Sequence, residues 1–177
     1  MNAFDFAAPT SVEDAVKLLG VPEAEALSGG TDLLGRLKDH VASPRRVVYL
    51  KDVKALAGIS GDAASGLTIG AGTRLADVLA SKAVKESYPA IWQATLEVGT
   101  PQIRNMATVG GNLLQRPRCW YFRAGNGLLA VKDGKSLVRA GDNRYHAIFD
   151  TDGDALFVNP SSLAVPLIAL GAKAVVA

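Results

Sequence analysis

The stretch Glu97–Gln115, EVGTPQIRNMATVGGNLLQ, decides how the rest of the chain is read. It holds one acid, Glu97, and one cation, Arg104, among small residues and amide side chains. Gly110-Gly111-Asn112 lies between Val109 and Leu113-Leu114, so paired glycines interrupt an apolar segment. Glycine lets backbone N–H groups approach a ligand with no Cβ in the way. Successive free N–H groups then form a concavity that suits phosphate oxygens. The same residues equally suit a tight hairpin turn, capped by an Asn112 amide near the surface. From this stretch alone both readings stand.

A second glycine turn lies far upstream. Ser28-Gly29-Gly30-Thr31-Asp32 follows an expected strand, Ala24 to Leu27, and precedes an expected helix, Leu33 to Asp39. Each turn stands next to Thr and either Asp or Asn, so the two together suit a diphosphate gripped from two sides. Helix N-termini behind Thr31 and after Pro160 add partial positive charge. Each charge-assisted N–H bond to phosphate contributes ~1.5–3 kcal/mol.

The pattern around these turns is α+β. Phe4 to Phe6 reads as an edge strand, and Thr10-Ser11-Val12-Glu13 resembles a capping box. The helix behind it carries Ala15, Val16, Leu18 and Leu19 and ends at Gly20. Arg46 to Leu50 completes strand–helix–strand–helix–strand. Leu67 to Gly72 is a strand ending in glycines, followed by a helix from Leu75 to Leu79. It imitates the start of a dinucleotide fingerprint, but Leu75 stands where the third glycine belongs and no acid closes a following strand. Ala90 to Val98 reads as a helix with Ile91, Ala94, Leu96 and Val98 on its apolar face. After RPRCWYFR (116–123), residues 124–143 read as a long loop of the functional or mobile kind. Tyr145 to Phe149 reads as a strand. Asp150-Thr151-Asp152-Gly153-Asp154 spaces its acids as a calcium loop begins but lacks the later glutamate, so it reads as a turn. A helix from Leu163 to Leu170 and a strand from Ala172 to Ala177 follow.

Composition narrows the function classes. The 177 residues are 49% hydrophobic and 20% charged, as in ordinary globular proteins. A net charge of +2 gives no argument for nucleic acid or an anionic membrane. No segment reaches the ~18–20 apolar residues of a membrane span. The N-terminus has acids and no basic-then-apolar pattern, and Cys119 is the single cysteine, so a cytoplasmic location is expected. His40 and His146 sit in polar surroundings with no partnered Cys or Ser, so no nucleophile–base pair is expected. No Cys, His or carboxylate cluster suggests a metal. Binding, or chemistry supplied by a cofactor, is what remains.

Ser28-Gly29-Gly30-Thr31-Asp32-Leu33-Leu34 resembles the first FAD-binding loop of the molybdenum hydroxylase flavoproteins, the FAD subunits of xanthine dehydrogenase, carbon monoxide dehydrogenase and aldehyde oxidoreductases. Residues 100–112, from Thr100-Pro101-Gln102 through Thr108-Val109-Gly110-Gly111-Asn112, resemble the second loop, at matching spacing. The resemblance implies a two-subdomain α+β FAD-binding domain of the vanillyl-alcohol oxidase (PCMH-type) kind, divided as 1–55 and 56–177. It implies FAD held by Gly29, Gly30, Thr31, Asp32 and Leu33 and by Thr100, Thr108, Gly110, Gly111, Asn112 and Ser162. It implies partners too: a molybdopterin-binding large subunit and a [2Fe-2S] small subunit, with electrons passed on to NAD, oxygen or another acceptor.

Three departures stand out. Cys119 resembles the family branch with an extra [4Fe-4S] cluster, which needs about four thiolates, so no cluster is expected here. Ser162 stands where many relatives have an acid near the flavin. The family chain normally completes this domain and adds a C-terminal α+β domain, so a shortened chain is expected. A flavin-free structural or interaction protein is the alternative reading.

Overall fold

The computed structural model describes residues 1–149 and 152–176. Strands β1 (Asp5–Ala7), β2 (Ala24–Leu27) and β3 (Arg46–Tyr49) alternate with helices α1 (Val12–Leu19) and α2 (Leu33–Lys38), as the sequence predicts. The strands form one parallel sheet in the order β1-β3-β2, with Phe6 opposite Val47 and Ala26 opposite Val48. Parallel pairing follows from helical crossovers, which return the chain to the same end of the sheet. The central strand is buried most deeply: Val47 and Val48 have no exposed surface. Val47 packs with Leu33 and Leu37 of α2, fixing that helix beneath the turn that precedes it.

The cap of α1 lies one residue later than expected. Ser11, not Thr10, accepts the Asp14 N–H, at 3.1 Å. Ser11-x-x-Asp14 satisfies the same pattern as Thr10-x-x-Glu13, and the helix takes the later one.

A 3-10 turn at Lys54–Leu56 leads to an antiparallel hairpin, in which β4 (Ile59–Asp62) pairs with β5 (Gly66–Ile69). Gly70 and Gly72 press on Leu56: a Cβ at Gly70 would lie 2.3 Å from the Leu56 carbonyl oxygen. Close backbone approach explains these glycines, which gave the false start of a dinucleotide fingerprint. Helices α3 (Leu75–Ala80), α4 (Lys82–Ser87) and α5 (Pro89–Leu96) then form a layer whose core joins Leu75, Val78, Val84 and Ile91 to Ala107, Val109 and Leu163. In α5 the expected apolar face is corrected. Leu96 is 42% exposed, while Thr95 is buried and its hydroxyl donates to the Ile91 carbonyl at 2.7 Å.

The deciding stretch is not a hairpin. It folds as α6 (Pro101–Met106) and α7 (Val109–Leu113). Thr100 and Thr108 cap them, each accepting the N–H three residues on, at 3.3 Å. Threonine in an extended N-cap conformation starts a helix, and that preference outweighs the turn tendency of Gly110-Gly111. Neither glycine has a positive φ.

The remaining described chain holds α8 (Trp120–Arg123), β6 (Val131–Lys132), β7 (Lys135–Ser136), α9 (Leu137–Ala140) and α10 (Ala164–Ala169). Residues 124–143 are therefore not a bare loop: Ala130 and Val138 are buried against Cys119 and Phe122. Tyr145 to Phe149 forms no strand. Ile148 and Phe149 are exposed with no partner strand among the described residues, and β-forming side chains need one. Residues 172–176 form no strand for the same reason. Asp150 and Thr151, from the expected acidic turn, and Ala177 lie outside the described residues. Among the described residues no helix is long and apolar enough to cross a membrane.

Candidate functional site

A cleft of ≈370 Å³ opens between the β2–α2 turn and the start of α7. Ser28 to Leu33 line one side; Leu56, Ala71, Gly72, Thr108, Gly110 and Gly111 line the other, with Leu114 to Arg116 at one end. Of the residues implied by the resemblance, Gly29, Gly30, Thr31, Asp32, Leu33, Thr108, Gly110 and Gly111 meet here, from turns about eighty residues apart.

The two turns touch through backbone. A Cβ at Gly29 would lie 2.1 Å from the Met106 carbonyl oxygen and 2.8 Å from Ala107 Cα, so only glycine fits. Gly30 has φ +75°, a conformation that side chains disfavour. Thr108 Oγ1 donates to Ser28 Oγ at 3.0 Å and fixes the approach.

The turns differ in what they offer a ligand. The N–H groups of Gly29, Gly30, Thr31, Asp32 and Leu33 have no hydrogen-bond partner among the described residues. Those of α7 are all taken. Val109 donates to Thr73 O at 2.9 Å, Gly110 to Ala71 O at 2.8 Å, Gly111 to Thr108 Oγ1 at 3.3 Å and Asn112 to Thr108 O at 2.8 Å. The first turn supplies donors; the second supplies a smooth glycine wall. A Cβ at Gly111 would meet only Thr108 Oγ1, at 3.1 Å, so the wall stays open there.

Three implied residues lie off the cleft. Thr100 is exposed and caps α6. Ser162 is exposed, and its neighbour Ser161 is buried instead. Asn112 is 7% exposed, not a surface amide. Its Oδ1 accepts Ser161 Oγ–H at 2.7 Å and Leu163 N–H at 3.4 Å, tying α7 to the segment before α10.

Asp32 is the electrostatic centre. Its carboxylate accepts from Arg123 at 2.9 Å, Arg118 at 3.0 Å, Arg36 at 3.2 Å and the Arg116 backbone N–H at 3.2 Å. Arg36 also makes a two-pronged contact to Glu25, both arms at 3.1 Å. Burial pushes the Asp32 carboxyl up, but the Arg123 hydrogen bond, the Arg116 N–H and the charges of Arg123 and Arg36 outweigh it and hold the group below the usual carboxylate range. Its carboxylate is thus engaged within the protein and not directed at a ligand.

Sequence reasoning missed Ser28, Gln115 and Arg116 as cleft residues: Ser28 and Gln115 only flank the glycine turns and Arg116 follows them, and it is the fold that brings all three to the cleft. It also missed a pairing of distant residues: Cys119 is buried with its sulfur 3.2 Å from His146 Nε2. Among the described residues no group of three or more His, Cys, Asp or Glu is placed to hold a metal.

Two stability outcomes follow from this geometry. Asn112→Ala removes the acceptor of two buried donors, at ~1–3 kcal/mol. A Tm lower by roughly 5 °C is expected for a chain of this size, and an unchanged Tm contradicts the clamp. Asp32 has a depressed folded pKa, so its contribution is present above the unfolded value of about 3.9 and is lost as pH falls through the folded one. Asp32→Asn is therefore expected to be less stable than the parent at pH 7 and to lose less on acidification below about pH 4. Urea unfolding curves of parent and variant that run parallel from pH 7 to pH 3 contradict this.

The family model described as the FAD binding domain in molybdopterin dehydrogenase matches residues 2–177. The chain is 34% identical over 175 residues to the aldehyde oxidoreductase FAD-binding subunit PaoB of Escherichia coli (strain K12), covering 97% of this chain and 55% of that one. It is 36% identical over 113 residues to the carbon monoxide dehydrogenase medium chain of Afipia carboxidovorans, covering 63% and 39%. Among solved structures it is similar to reconstituted CO dehydrogenase from Oligotropha carboxidovorans, with a TM-score of 0.60 and 35% identity over 63% of this chain and 40% of that one. The chain thus spans between about two fifths and about half of these relatives' lengths. The chain belongs to the family of FAD-binding domains of molybdopterin dehydrogenases.

Proposed function

We propose that this chain binds FAD non-covalently in the cleft and serves as the flavin-binding, electron-transferring component of a molybdenum hydroxylase. The observation that carries the reading is the run of unpartnered N–H groups from Gly29 to Leu33, set against the glycine wall of Gly110 and Gly111. That donor set fits a diphosphate, which accepts several N–H bonds and tolerates no side chain between itself and the backbone. In this reading Gly29, Gly30, Thr31 and Leu33 hold the diphosphate through main chain, and Asp32 adds its own N–H. Thr108, Gly110 and Gly111 form the wall, and Asn112 anchors it to the segment before α10. The fold is then the two-subdomain PCMH-type domain, residues 1–55 and 56–177, with the cleft between its halves.

FAD supplies one- and two-electron chemistry that no side chain here offers. The chain's proposed place is between a molybdopterin-binding large subunit and a [2Fe-2S] small subunit on one side and NAD, oxygen or another acceptor on the other. Support comes from the family and from relatives named as subunits of larger enzymes. The oxidised substrate belongs to the partner, so the isolated chain is expected to oxidise none.

Equilibrium titration with FAD, followed at about 450 nm where flavins absorb, tests the reading. The parent is expected to take up FAD. Gly111→Val puts branched carbon on the open face of the wall and is expected to bind at least about tenfold more weakly, ~1.4 kcal/mol, with an unchanged circular dichroism spectrum. A folded parent that takes up no FAD points to a flavin-free interaction protein instead. A folded Gly111→Val that binds like the parent removes the wall from the site.

A further inference from the structure

The segment just past α7 carries a feature that the family resemblance does not assign. Arg116 lines the end of the cleft, and its main chain is fixed on both sides. Its N–H donates to Asp32 Oδ2 at 3.2 Å, and its carbonyl accepts from Arg118 Nη1 at 2.8 Å and Arg123 Nη2 at 3.2 Å. Its guanidinium, in contrast, has no hydrogen bond or ion pair among the described residues. Every other arginine of the chain has one: Arg36, Arg118 and Arg123 on Asp32, and Arg45, Arg46, Arg74, Arg104, Arg139 and Arg144 elsewhere.

The charge around this end of the cleft is unbalanced as well. Glu25 and Asp32 are shared among Arg36, Arg118 and Arg123, and Arg116 adds a further cation with no carboxylate of its own. An unpaired guanidinium on a rigid main chain presents a fork of donors suited to phosphate oxygens.

Resting on the FAD reading above, we infer that Arg116 is a specificity-determining residue of that cleft: its guanidinium takes the phosphates of the dinucleotide, and Asp32 is the strut that places it. Asp32 thereby acts through Arg116, while the Gly29–Leu33 turn contacts the same phosphates through main chain. The cleft so built discriminates FAD from riboflavin, which carries no phosphate.

The test uses the full chain and two probes, FAD and riboflavin, titrated by quenching of flavin fluorescence at low and moderate salt. Circular dichroism serves as the folding control. Arg116→Gln is expected to weaken FAD binding about tenfold or more, the loss of one or two charge-assisted hydrogen bonds, and to leave riboflavin binding unchanged. Salt is expected to weaken FAD binding less in the variant than in the parent. Arg116→Lys, which keeps the charge but not the fork, is expected to fall between. Folded Arg116→Gln that binds FAD with the parent's affinity and salt dependence overturns the inference and leaves the FAD reading standing. Equal weakening of FAD and riboflavin also overturns it, because a merely structural role moves both. A folded parent that binds neither flavin overturns the FAD reading, and this inference with it.

Discussion

The Met106 carbonyl oxygen occupies the place where a side chain at residue 29 would begin. That contact lets the turn after β2 close against the α6–α7 junction, and the cleft exists because of it. A methyl group at residue 29 would push two main chains apart and separate the Ser28 and Thr108 hydroxyls, which now bond at 3.0 Å. Asp32 adds a second tie, joining the same turn to the segment 116–123. Its bonds differ in weight. Arg36 is nearly buried, and losing one partner of such a pair costs ~3–5 kcal/mol. Arg118 is more than half exposed, and its pair contributes about 0–1 kcal/mol. Stability thus resides in the buried Arg36 guanidinium held between Glu25 and Asp32, while the outer arginines shape the end of the cleft.

The division of labour between the turns was only half legible in the sequence. Gly29-Gly30 and Gly110-Gly111 read alike as paired glycines, and both were expected to offer N–H groups. They behave differently because Thr108 precedes the second pair as a helix cap and Thr73 and Ala71 lie within reach of its N–H groups. Those contacts are long-range, and no local pattern announces them. The same holds for Asn112. Its amide is a turn-former by local rule, but a segment fifty residues later brings Ser161 to it and makes it a buried clamp.

Elements with a strong local signal were read correctly. Val47 and Val48 in a β-branched run gave the central strand, and the apolar stripe of Val12–Leu19 gave the first helix. The misread elements lacked a tertiary partner. Among the described residues Tyr145 to Phe149 has strand-forming side chains but no strand beside it, and Leu96 faces only an open groove against Val165 and Pro166, which leaves it exposed. Arg116 carries no local signal of its own; only the pairing of Arg118 and Arg123 with Asp32 singles it out.

The central claim is that the main-chain N–H groups of Gly29 to Leu33 hold the flavin's diphosphate. Amide hydrogen exchange of the full chain, with and without saturating FAD, measures those groups directly. Unpartnered N–H groups exchange fast in the free protein, and the account predicts that residues 29–33 slow markedly when FAD is added while the already bonded amides of residues 110–112 change little. Exchange at residues 29–33 that stays fast with FAD bound contradicts it.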